Sequence, residues 1–238
     1  EDYHTVLKRY IRPLFGHQLK QCLDAERSPH DDQALTVHLR GDDMYPRSEE
    51  ALDHKAYSRP WLFPPCSMFE KIVLEGKFKQ VNVVTSADRR NPCLKWFEQF
   101  ADRKYQHGVS VSYQIGSLLE DTCVLLRARH LVLSYSSFVH NLAVLSDQVQ
   151  TIYTRGVFDP HWLMNCDVRP EVKVLRYDVA VNHEQHEPYN DTYRGAIDWI
   201  LSHPVAEVYG PEDCIRRECK NKNEHATLLC TLRDRTEL

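Results

Sequence analysis

What the 238-residue chain lacks narrows its possible roles first. It has no excess of basic charge: 30 Lys and Arg stand against 34 Asp and Glu, a net −4, with a sequence pI near 6.4. Nothing concentrates enough cations to neutralise a row of phosphates, which argues against a nucleic-acid partner. No apolar run approaches the length of a membrane span, so no membrane span is expected within the chain. The opening Glu1-Asp2-Tyr3-His4 shows no basic segment followed by an apolar one, and no signal peptide is expected there. No Cys-x-x-Cys pair occurs among the eight cysteines, which argues against a structural zinc site. Internal repeats and low-complexity segments are also missing.

What is present is ordinary for a folded domain. Hydrophobic residues make up 42% and charged residues 27%, enough to bury a substantial core without staples. The cysteines can be oxidised in a secretory lumen or stay as small buried apolar groups in a cytosol. The Asn190-Asp191-Thr192 sequon leans toward the lumen.

The apolar pattern alternates. Residues 3–23 carry Val6, Leu7, Tyr10, Ile11 and Leu14 at helical spacing. Strands are predicted at 34–39, 81–85, 109–113, 130–134 and 149–153, and helices at 66–74, from Pro92, at 118–129 and from Ser136-Ser137. Strands that alternate with helices and read as near-continuous apolar runs predict an α/β fold with a largely parallel sheet and helices on both faces. Beyond Arg155 a strand is expected over 172–177 and a helix over 193–201. The expected organisation is an N-terminal helical segment (1–32), a Rossmann-like domain (33–160) and a cysteine-bearing extension packing on it (161–238).

In such sheets ligands gather at the carboxyl ends of strands. The first strand ends in His38-Leu39-Arg40-Gly41-Asp42-Asp43. Arg40 can grip phosphate oxygens with a permanently charged fork, and Gly41 lets backbone approach an anion. Asp42 and Asp43 can orient Arg40, hold a cation or take a proton. Alone, Arg-Gly-Asp reads more readily as a turn with a surface ion pair, by about three to one. Ser136-Ser137 opens a helix after another strand, which for an isolated pair reads first as a plain N-cap and second as an anion site built from backbone N–H groups and hydroxyls. Two such elements on one sheet point to a phosphate-bearing ligand. Trp61, Phe63 and Trp162 can stack on sugar rings or serve the core. His183-Glu184-Gln185-His186-Glu187 does not match the zinc-peptidase helix, so no metal is expected.

The segment 38–42 resembles the first His-x-Arg-type motif of the fucosyltransferase superfamily, which includes the α-1,2-, α-1,6- and protein O-fucosyltransferases. Val83-Val84-Thr85-Ser86-Ala87-Asp88 and Leu131-Val132-Leu133-Ser134-Tyr135-Ser136-Ser137-Phe138 resemble later motifs of that group, in order, over roughly residues 33–155. The resemblance implies a GT-B-type architecture with a GDP-linked sugar donor in the Rossmann-like half, the acceptor half being short or incomplete here. It implies that Arg40 binds the β-phosphate, that His38 supports that grip, and that Asp88, beside Ser86, touches the nucleoside. Ser136, Ser137 and Phe138 would close on phosphate and base. It implies inversion at the sugar without a metal cofactor, and a glycan or glycoprotein acceptor. Asp42, then Asp43, is the candidate base for the acceptor hydroxyl. Gly41 stands where many of that group carry a second arginine, and Ala87 where many carry a carboxylate. The alternatives are a non-catalytic carbohydrate- or nucleotide-binding module, and a phosphatase or nucleotide hydrolase using Asp42 and Asp43 with a divalent ion.

Overall fold

The computed structural model describes residues 31–41, 44–54, 64–102, 108–155, 171–179, 192–216 and 228–230, with isolated positions between 6 and 22. The described residues form eight strands: β1 (Ala34–Leu39), β2 (Gln80–Thr85), β3 (Ser110–Gln114), β4 (His130–Val132), β5 (Thr151–Arg155), β6 (Lys173–Val179), β7 (Val208–Arg216) and β8 (Leu228–Cys230). Among the described residues five α-helices lie between them: α1 (Cys66–Glu75), α2 (Pro92–Asp102), α3 (Leu118–Arg127), α4 (Ser137–Leu145) and α5 (Tyr193–Ser202). The order across the sheet is β3-β2-β1-β4-β5-β6-β7-β8. Strands β1 to β6 run parallel, and β7 pairs antiparallel with β6. Only the last three residues of β7 pair with β8. The fold is therefore α/β with a mostly parallel, Rossmann-like sheet, and its strand order reverses between β1 and β4.

The elements follow from local chemistry. β1 is buried along its whole length, because helices cover both faces of the sheet at its centre. α2 starts at Pro92, whose missing N–H costs nothing in the first turn, and the Asn91 Oδ1 caps it by accepting from the Cys93 N–H at 2.9 Å. α3 opens on a reciprocal capping box between Ser117 and Glu120. Two cores sandwich the sheet. Met68, Phe69, Ile72, Leu94, Phe97 and Ile200, from α1, α2 and α5, meet Leu35, Val37 and Val83 on one face. Leu125, Leu126, Val139, Leu142 and Leu145, from α3 and α4, meet Leu131 and Ile152 on the other. The Arg155 guanidinium, buried at the end of β5, lies 5.2 Å from the Trp199 ring of α5.

The predicted elements of residues 33–155 are present with ends displaced by a residue or two. Differences lie at the carboxyl side. β4 ends at Val132 rather than Ser134, and β7 has no counterpart in the sequence reading. β6 and β7 also continue the sheet, where an extension packed against the domain was expected. The predicted 3–23 helix lies largely outside the described residues.

Two disulfides are present among the described residues, Cys22–Cys123 and Cys66–Cys93. The second ties the first residue of α1 to the second residue of α2 inside the core, across a separation of 27 residues. Releasing a loop of that length costs about 3 kcal/mol in chain entropy. The pair Cys66→Ser and Cys93→Ser is accordingly expected to lower the melting temperature by roughly 10 °C; unchanged melting would show that the link contributes nothing.

Candidate functional site

The candidate site sits where β1 and β4 part. Arg40 follows β1 directly, and its guanidinium donates from Nη1 to the Tyr135 carbonyl at 2.9 Å. The Arg40 carbonyl accepts from Asn91 Nδ2 at 2.8 Å. The main chain of Arg40 is thus pinned to the β2–α2 loop, while its charge reaches across to the β4–α4 turn. Arg40 is brought beside the residue that precedes Ser136 and Ser137.

Gly41 packs against the β2–α2 loop. A Cβ there would fall 2.5 Å from Ser86 Oγ and 2.7 Å from Asp88 Oδ1, closer than side chains tolerate. Ser86 Oγ donates to Asp88 Oδ1 at 2.5 Å, and Asp88 also pairs with the Arg90 guanidinium. Arg90 Nη1 in turn donates to the Tyr45 carbonyl at 2.5 Å. The demand for glycine at 41 therefore comes from this knot of neighbouring side chains. Expected to face the nucleoside, Asp88 is mostly buried within the knot and holds the two loops together.

His38 is buried near the end of β1. Its Nδ1 is paired with Ser134 Oγ at 2.5 Å, and its ring lies 5.9 Å from Phe138, tilted by 56°. Burial first, then the Arg40 charge, then His140, holds the His38 pKa down to about 4. His140, on α4, is held down to about 4 by burial, which outweighs its bond to the Ser134 backbone. Both imidazoles are neutral at pH 7, so His38 offers support beneath Arg40 and no second charge.

Ser136 occupies the cap position of α4, yet its side chain makes no capping bond. Its own N–H donates to the Ser134 carbonyl at 2.8 Å. Ser137 is exposed and Phe138 half-buried at the start of the helix. The amides of this first turn have no helical acceptors, and together with Arg40 they bias the edge of the sheet toward anions.

Asp42 and Asp43 lie outside the described residues, as do Trp61, Phe63, Trp162 and the 183–187 cluster. The loop acids Glu49 and Asp53 both pair with Arg194 of α5, whose hydrogen bond holds the Asp53 carboxyl below its usual range. Among the described residues no group of three or more His, Cys, Asp or Glu is placed to hold a metal, and no helix is long and apolar enough to cross a membrane.

A hollow of only about 10 Å³ opens between His38, Tyr45, Asn91 and Ser134, room for one water at most. A ligand would therefore rest on the edge above it. A larger cavity, about 330 Å³, lies away from Arg40 between α3 and the polar row Thr36, Asn82 and Ser112. Its volume alone does not make it the site, because it contains none of the switch-point residues. Asn91, Arg90, Ser134 and His140 were missed as site residues. Asn91 before Pro92 was legible as a helix cap; the other three carried no local signal.

Compared with family models, curated proteins and solved structures, the chain has no match.

Proposed function

We propose that this chain is the donor-binding half of an inverting glycosyltransferase of the fucosyltransferase-like, GT-B type. Its donor is a nucleotide diphosphate sugar, GDP-linked by the resemblance of its motifs, and its acceptor a hydroxyl of a glycan or glycoprotein. The observation that carries the reading is the Arg40 guanidinium anchored on the Tyr135 carbonyl, at the point where strand order reverses and one residue before the Ser136 cap of α4.

In this reading the acceptor oxygen attacks the anomeric carbon from the face opposite the diphosphate. The bond from that carbon to the phosphate oxygen breaks, its electron pair leaves with the diphosphate, and the configuration inverts. The hydroxyl proton passes to a carboxylate, for which Asp42 is the first candidate and Asp43 the second. Arg40 and the α4 amides stabilise the charge that grows on the diphosphate, the part a metal plays in other enzymes. Ser136, Ser137 and Phe138 border the same edge. The two disulfides support assigning the protein to an oxidising compartment such as the secretory lumen.

Titration calorimetry of the folded protein with GDP, UDP and GMP tests the proposal. Binding of a diphosphate at least about tenfold tighter than GMP is expected, a difference of about 1.4 kcal/mol for the terminal phosphate. A folded protein that binds neither diphosphate would end it.

A further inference from the structure

We propose that Ser134 and His140 are positioning residues: they lock the β4–α4 turn against β1, so that Arg40 and the first amides of α4 converge on one phosphate. This rests on the nucleotide-diphosphate reading and extends it to two residues that never need to touch the ligand.

The turn is held at consecutive residues from the same strand end. His38 of β1 pairs with the Ser134 hydroxyl, and Arg40, two residues on, holds the Tyr135 carbonyl at 2.9 Å. From the opposite side, one turn into α4, the His140 imidazole donates to the Ser134 backbone. The Ser134 carbonyl also receives the Ser136 N–H, which bends the chain into the helix start. Ser134 is thus the point where β1, β4 and α4 are joined by polar bonds.

All three side chains are nearly shut off from water: Ser134 is 3%, His140 5% and His38 9% exposed. Their neighbours Leu133, Val139 and Leu142 are apolar core. Burying polar groups there costs more than apolar packing would, a cost the His38–Ser134 pair offsets in part. What the bonds provide is direction. Apolar contacts tolerate sliding between a strand and a helix, whereas hydrogen bonds to one serine fix both angle and register. Phosphate coordination demands that fixity, because a small displacement of a donor from its acceptor oxygen forfeits most of a charged hydrogen bond.

The test compares Ser134→Ala, His140→Leu and His140→Gln with the unaltered chain, by calorimetry with GDP and GMP and by thermal melting. Gln keeps an N–H to reach the Ser134 carbonyl; Leu does not. GDP affinity is expected to fall about tenfold in Ser134→Ala and His140→Leu, to recover most of that loss in His140→Gln, and to change less for GMP throughout. Should His140→Leu fail to fold, Ser134→Ala, which removes a single hydroxyl, carries the same comparison. Variants that bind GDP as tightly as the unaltered chain overturn the inference. So do variants that lose GDP and GMP equally in step with a lowered melting temperature, the mark of a merely structural role. If the unaltered chain binds neither GDP nor UDP, the functional reading itself falls and takes this inference with it.

Discussion

Replacing Arg40 with alanine is expected to weaken GDP binding about a hundredfold, the largest functional effect of any single change in the site. A hydrogen bond to a charged group contributes about 1.5–3 kcal/mol, and a bidentate fork to phosphate sits at the upper end of that range. About 2.7 kcal/mol corresponds to a factor of one hundred in affinity. The change also releases the Tyr135 carbonyl, which Arg40 holds at 2.9 Å, so the α4 amides lose part of their alignment at the same time. GMP should lose much less, because its phosphate is not the one Arg40 is proposed to grip. Arg40→Lys should fall between, keeping charge but losing the planar fork. Calorimetry on the three proteins reads the outcome. Equal GDP affinity in Arg40→Ala and the unaltered chain would remove Arg40 from the site altogether.

Acid should destabilise this protein before its carboxylates titrate. His38 and His140 both have pKa values held down to about 4 in the folded chain, against an ordinary value of 6.5. Below 6.5 the unfolded chain takes up protons at these positions and the folded chain does not, so protons favour unfolding. Above 6.5 neither state binds them, and the effect vanishes. Stability is therefore full at neutral pH and falls as pH drops from about 6.5 to 4. A tenfold difference in proton affinity is worth about 1.4 kcal/mol, and each histidine differs by more than a hundredfold. The two together are worth on the order of 5 kcal/mol at pH 4, a large share of a typical domain's stability. Melting temperature measured across pH 4–7 should show the decline, and the double change His38→Gln and His140→Gln should flatten it. A profile equally steep in the double variant would place the acid sensitivity elsewhere.

The parts of this architecture that were legible in advance are those written in short segments. β1, β2, α1, α2 and α5 were read close to their actual limits because each carries its own period and boundary signals, such as Pro92 and the Gly41 turn. β7 was not legible: Val208–Arg216 contains Gly210, Pro211 and several charges, and it forms a strand because β6 offers it an edge. The carboxyl end of β4 slipped for a related reason. Ser134 continues the apolar-looking run, but its hydroxyl and carbonyl are taken by His38, Ser136 and His140, and the strand stops at Val132.

The site divides in the same way. Arg40 and Ser136 could be picked out because strand ends in a parallel sheet collect ligands, and that rule needs only local pattern. Nothing local tells that Asp88 turns inward to Ser86 and Arg90 rather than outward, or that Gly41 is required by their packing. Nor does spacing show that Glu49 and Asp53 are occupied by Arg194, more than 140 residues away along the chain.

From its residues alone this chain determined its fold class, because the alternation of buried strands and amphipathic helices is a local property that each segment enforces on itself. It also determined which strand ends carry charge and hydroxyls. Tertiary structure decided the strand order, the pairing of Cys66 with Cys93 and the reach of Arg40 to Tyr135. It also decided the neutrality of His38 and His140. Those depend on groups distant in sequence meeting in a water-poor interior, where proximity and desolvation, rather than residue type, set what each side chain can do.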